Sequence, residues 1–135
     1  AHKVYVRDSG IAHALLNIGD VNSLMGHPVA GGSWEGFVIE NIAAVAPDHF
    51  NFYFYRSAQG AEIDLLIEVA HQQLWAIEIK RSSNPTLSKG FHIACEDIKA
   101  EKRFVVYAGN DRFSIGNQTE AISLQAIMTL LLGMH

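Results

Sequence analysis

The sequence predicts an α/β domain with a mixed central sheet and helices on both faces, and three observations carry that expectation. Three runs rich in aromatic, Ile, Leu and Val residues, Phe52–Arg56, Glu62–Val69 and Leu74–Lys80, follow one another across short polar breaks. Helical patterns flank them, one starting at Ser33 and one covering Leu87–Lys99, and a further strand-like run, Arg103–Tyr107, closes the series. With 135 residues, 49% of them hydrophobic, the chain suits a single domain over 1–135 with one substantial core.

Taken in order, Lys3–Arg7 alternates like a strand, and Asp8-Ser9-Gly10 offers a turn or helix cap before Ile11–Leu16. Asn17–Gly32 is rich in Gly, Asn and His, carries Pro28 and reads as loop. Ser33 is a good N-cap for a helix through Trp34-Glu35-Gly36-Phe37 to Ala43, which Pro47-Asp48 ends. Ala58-Gln59-Gly60 and His71-Gln72-Gln73 are breaks short enough to make the three strands an antiparallel meander. Ser82–Pro85 is loop before the helix Leu87–Lys99, and Gly109-Asn110-Asp111 turns the chain after Tyr107. A last helix is expected over Glu120–Leu132, where apolar residues recur at helical spacing.

Composition excludes several classes. A lone cysteine, Cys95, allows neither an internal disulfide nor a cysteine-based zinc knuckle, and reads as a small core residue. The seven histidines show no zinc-protease spacing, and Ser9, Ser33 and Ser57 lack the G-x-S-x-G context of a serine hydrolase. No G-x-x-x-x-G-K-[ST] loop is present, so the chain has no such ATP cradle. No apolar run approaches the ~18–20 residues that span a bilayer, and no leader is visible, so a cytoplasmic setting is expected. A net charge of −4 speaks against strong autonomous binding to duplex DNA.

The chemistry sits in the third strand. Side chains alternate along a strand, so Glu78 and Lys80 share one face of Leu74–Lys80 while Ile77 and Ile79 share the other. Charges inside an apolar strand are costly unless paired or bound to a metal. Asp64, in the preceding strand, can come beside Glu78 in a meander, with a register that sequence leaves open. Two neighbouring carboxylates favour a hard cation such as Mg²⁺ (or Mn²⁺), which uses one or two protein carboxylates plus water and phosphate oxygens. A lysine beside them can stabilise a phosphate under attack.

Asp64 and the Ile77-Glu78-Ile79-Lys80 run, with thirteen residues between Asp64 and Glu78, resemble the Asp…Glu-x-Lys signature of the PD-(D/E)XK nuclease superfamily. Gly32-Ser33-Trp34-Glu35 resembles its first motif, a helical glutamate that adds a metal ligand. The order helix, three strands, helix, strand matches the restriction-endonuclease-like αβββαβ core. More narrowly, "KVYVRDSGI", "GSWEGFVIEN", "FYFYRSAQGAEIDLLIE" and "WAIEIKRS" are similar to phrases in the C-terminal domain of unknown function of bacterial and archaeal AAA+-type ATPases. The resemblance implies metal ligands at Glu35, Asp64 and Glu78, a catalytic lysine at Lys80, and Asp64 and Glu78 as catalytic carboxylates. It implies Mg²⁺ as cofactor, nucleic acid (DNA first) as substrate, and an ATPase domain in the same full-length chain, of which this would be the C-terminal part. The superfamily's proline is missing, since Ile63 precedes Asp64.

Some assignments stay open at this level. Glu40 is an alternative to Glu35, because the two stand about 140° apart on a helix and only one can face the site. Arg56 and Arg81 could touch phosphates, and Lys89, Lys99, Lys102 and Arg103 could form a basic rim, but all read first as solvated faces, and Gln59 and Glu62 as turn residues. The site is expected at a sheet edge. A non-catalytic module that binds DNA or protein and regulates the attached ATPase is the rival function, and the apolar Ile122–Leu132 stretch raises self-association as a third.

Overall fold

The computed structural model describes residues 13–17, as backbone, and 34–135. The expected strand Lys3–Arg7, the Asp8–Gly10 turn, the loop preceding Ser33 and the Ser33 cap lie outside the described residues. Ten elements follow in order: β1 (His13–Asn17), α1 (Trp34–Val45), β2 (Asn51–Ser57), β3 (Glu62–Ala70), β4 (Gln73–Ile79), α2 (Lys89–Ile98), β5 (Lys102–Tyr107), β6 (Phe113–Gly116), β7 (Thr119–Ser123) and α3 (Leu124–Leu132).

The strands make one seven-stranded sheet in the order β1-β2-β3-β4-β5-β7-β6. β1 to β4 are antiparallel neighbours, as the short breaks require, whereas β5 runs parallel to β4 and β7 parallel to β5. The change of sense at β4 follows from the connection, since a parallel neighbour needs a crossover and α2 supplies it. The expected α/β class with a mixed sheet between helices is the one observed.

Three stretches differ from expectation, one of them β6, a strand that no local pattern suggested. Residues 13–17 are not a helical start but an edge strand, with His13 opposite Ser57 and Asn17 opposite Tyr53. The open hydrogen-bonding edge of β2, invisible to local periodicity, draws that segment into the ladder. The last helix is shorter than expected, because Thr119–Ser123 pairs with both β5 and β6 and only Leu124 onward is helical. Ser123 is the real N-cap, its hydroxyl accepting from the Ala126 N–H.

Burial divides the sheet into two apolar layers. On one face Leu65, Ile67, Trp75, Ile77, Phe104, Val106 and Ile122 meet Val38, Ile39 and Ile42 of α1 and Ile127 and Leu131 of α3. On the other, Tyr53, Tyr55, Ile63, Leu66, Leu74 and Ala76 meet Phe91, Ala94 and Cys95 of α2. Strands β3 and β4 are thus covered on both sides, and each fully buried Leu or Ile there contributes about 1.5–3 kcal/mol. Cys95 is wholly buried, and burial pushes its thiol up to about 12, so it is the core residue that was expected.

Arg103 does not belong to an exposed basic rim. It is 7% exposed, and its guanidinium bonds Glu96 of α2 at 2.6 Å and the Ala100 carbonyl at 3.3 Å. It therefore fastens the C-terminal end of α2 to the sheet. Arg103→Met keeps the stem and orphans one carbonyl, so a loss of about 1 kcal/mol in a denaturant titration is expected.

Candidate functional site at the ends of the central strands

The β3–β4 ladder stops at the pair Leu65–Ile77. One step further the same register would set Asp64 opposite Glu78, and here the backbone pairing gives way to a side chain: the Ile79 N–H donates to Asp64 Oδ2 at 2.8 Å. The cause lies in β3. Tyr53 pairs with Leu66 and Tyr55 with Ile63, so Asp64 and Leu65 together face Phe54 alone, a β-bulge that bends the strand and re-aims its side chains. Asp64 is half-buried at this point.

Glu78 is nearly buried, with its side chain 11% exposed, and its Oε2 lies 3.3 Å from Lys80 Nζ, the i, i+2 partnership that strand alternation demands. Its Oε1 accepts, at 3.5 Å, from the N–H of Ser88, the N-cap of α2. The N–H of Lys80 donates to the Val106 carbonyl at 2.8 Å and its carbonyl accepts from Trp34 Nε1 at 2.9 Å. Lys80 is therefore held by β5 on one side and by the first residue of α1 on the other.

Glu35, next to Trp34, is half-buried while Glu40 is exposed, and of the two only the charge of Glu35 acts on Asp64. Burial, with the nearby Glu62, raises the Glu35 pKa against the opposing pull of Arg56. Burial likewise pushes Asp64 up to about 7; the Ile79 hydrogen bond counters it, and the charges of Glu35, Glu78 and Glu62 add to it. All three sequence-expected carboxylates thus belong to one acidic neighbourhood. They do not converge fully: among the described residues no three His, Cys, Asp or Glu side chains are gathered into a ready metal-binding set. The two-layer build explains this, since Glu35 arrives on α1 and Glu78 faces the α2 cap, with Asp64 between them. A hard cation needs only one or two protein carboxylates, because water and phosphate oxygens complete its shell.

The site is not at a sheet edge. β3 and β4 are interior strands, and the residues gather where the two ends separate. Arg56 is exposed and paired with Glu62 at 3.1 Å, the surface role expected of it. Glu62 itself, read from sequence as a turn residue, contributes charge to the site; its position two residues before Asp64 was the available signal. Ser88 and Gly90 were also missed. A side chain at Gly90 would start 3.2 Å from the Gly60 carbonyl, so α2 seats its first turn directly on the β2–β3 turn. Gly90→Val is expected to lift that turn, costing about 1–2 kcal/mol in thermal unfolding and loosening the Ser88–Glu78 contact.

Comparison with known proteins gives a family and goes no further on chemistry. Residues 30–127 match the model of a domain of unknown function, DUF4143. Over 128 residues the chain is 38% identical to the uncharacterized proteins Mb2031c of Mycobacterium bovis and Rv2008c of Mycobacterium tuberculosis, covering 94% of this chain. It spans 28% of the length of either relative. No solved structure matches. Among the described residues no helix is long and apolar enough to cross a membrane. The matched segment runs from just before α1 into α3 and so takes in Glu35, Asp64, Glu78 and Lys80 together: the chain belongs to the DUF4143 family.

Proposed function

We propose that this domain is a divalent-cation-dependent phosphodiesterase acting on nucleic acid, DNA in the first place, within a longer chain that also carries an ATPase. The observation that carries the reading is that Asp64 binds the backbone N–H of Ile79, between the ion-paired Glu78 and Lys80, where the β3–β4 ladder opens. Interior strands normally exclude charge; here a bulge, a backbone N–H and a helix cap are all spent on holding acidic groups in place. The element order α1-β2-β3-β4-α2-β5 is also the αβββαβ order of the PD-(D/E)XK superfamily.

In this reading Asp64 and Glu78, with Glu35, would hold Mg²⁺. When bound, the cation supplies positive charge against the phosphate oxygens. Lys80, whose side chain is 30% exposed, exchanges its contact with Glu78 for a substrate oxygen and stabilises the charge that grows there in the transition state. Trp34 and the Val106 carbonyl keep the Lys80 backbone still while the ammonium moves.

The test is hydrolysis of single-stranded and duplex DNA by the intact protein with Mg²⁺ or Mn²⁺, beside Asp64→Ala. Cleavage that needs the cation and disappears in the variant supports the reading. The absence of a three-donor set and the net charge of −4 favour a second reading, a non-catalytic module that steers the attached ATPase. Under that reading no cation produces cleavage, while Asp64→Ala leaves ATP turnover responsive to DNA.

A further inference from the structure

We propose that Phe37, backed by Trp34, is a stacking shelf for an unpaired nucleobase beside the candidate site; the inference rests on the nucleic-acid reading above and narrows it to single-stranded substrate.

Phe37 lies one turn into α1 and is 50% exposed, while its neighbours Gly36, Val38 and Ile39 are buried. Its ring stacks on Trp34, with centroids 5.9 Å apart and planes 28° from parallel. Trp34 is in turn packed against the core and bonded through Nε1 to the Lys80 carbonyl at 2.9 Å. The outer ring is therefore rigidly backed and tied to the backbone of the residue that would meet the phosphate. A flat aromatic face presented in this way suits a base, and stacking is worth about 1–3 kcal/mol per base whatever its identity.

The surroundings favour a base over a protein partner. Glu40 and Asn41 border Phe37 on its own helix, and among the described residues the other large exposed apolar side chains stand elsewhere, Ile93 on α2, Phe113 on β6, Leu132 in α3 and Met134 just after it. A protein interface wants a contiguous apolar centre, whereas a single ring among polar groups is enough for stacking. Arg81, exposed and without an ion pair among the described residues, follows Lys80 and supplies the charge that a neighbouring phosphate would complement. Bases paired inside a duplex keep their faces covered, so the shelf selects unpaired strands.

The test uses the intact protein in EDTA, so that binding is read without cleavage. Fluorescence anisotropy is measured with a labelled oligothymidine of about 20 nucleotides, longer than one ordinary single-strand site, and with a duplex of the same length. Phe37→Ala and Phe37→Leu are both expected to weaken oligothymidine binding about tenfold, and Phe37→Trp to preserve it, with duplex binding changed less than twofold. Unchanged melting temperatures show that the exposed ring is not needed for folding. Wild-type affinity in Phe37→Leu would assign the residue to a merely apolar contact and overturn the proposal. Equal losses on duplex, or no wild-type binding of oligothymidine, would overturn it as well. Phe37-dependent binding without cleavage under any cation would sink the nuclease reading and leave the shelf standing, while cleavage indifferent to Phe37 would do the reverse.

Discussion

Lys80→Ala is expected to lower cation-dependent DNA cleavage by about two to three orders of magnitude, the usual cost of deleting one preorganised charge at a developing oxyanion. Binding of Mn²⁺ should survive, because the ligands proposed for the cation are Asp64 and Glu78. Removing the ammonium also frees Glu78 from its 3.3 Å partner, so Mn²⁺ affinity should hold or rise. Lys80→Arg should recover only part of the rate, since a planar, more extended cation does not replace a compact one anchored by the Trp34–Lys80 backbone bond. The measurements are single-turnover cleavage on a denaturing gel and calorimetric titration with Mn²⁺. Loss of cleavage together with loss of Mn²⁺ binding would assign Lys80 to the architecture of the site and deny it a chemical role.

The second large effect concerns stability. Asp64 carries a carboxyl raised to about 7 in the folded chain, first by burial and then by Glu35, Glu78 and Glu62. Unfolded, it titrates near 3.9. Between those values the native state binds the extra proton, so the Asp64 contribution to stability is greatest below about pH 4, falls as pH rises to about 7, and is level above it. Asp64→Asn removes the charge and keeps an oxygen that can accept from the Ile79 N–H. The variant should therefore match the wild type near pH 4 and exceed it at pH 8 by on the order of 2 kcal/mol, a figure reduced for partial exposure. In the proposed site Mg²⁺ would compete with the proton for the same oxygens, so it should stabilise the wild type more at pH 8 than at pH 5 and leave Asp64→Asn almost unmoved. Urea midpoints across pH, with and without the cation, give the answer. A wild type and variant that run parallel from pH 4 to 8 would show Asp64 to be an ordinary surface carboxylate.

What the sequence determined by itself is the set of elements governed by near neighbours. Strand alternation put Glu78 and Lys80 on one side, and they are found as an ion pair. The polar breaks at Ala58–Gly60 and His71–Gln73 are too short for anything but hairpins, so the β2–β4 meander was legible. The helix carrying Glu35 was legible too, because α1 buries Val38, Ile39 and Ile42 on one stripe. Tertiary structure decided the rest, and in each case the cause was a partner distant in the chain. A free edge on β2 made residues 13–17 a strand, and β5 made Thr119–Ser123 another. The bulge opposite Phe54 turned Asp64 toward the Ile79 N–H, a choice of register that alternation along one strand cannot make. The buried Arg103 and the close seat of Gly90 on Gly60 had the same origin, since each answers to an element its own neighbours do not contain. Periodicity is a property of a segment, whereas pairing, burial and charge proximity are properties of two segments brought together.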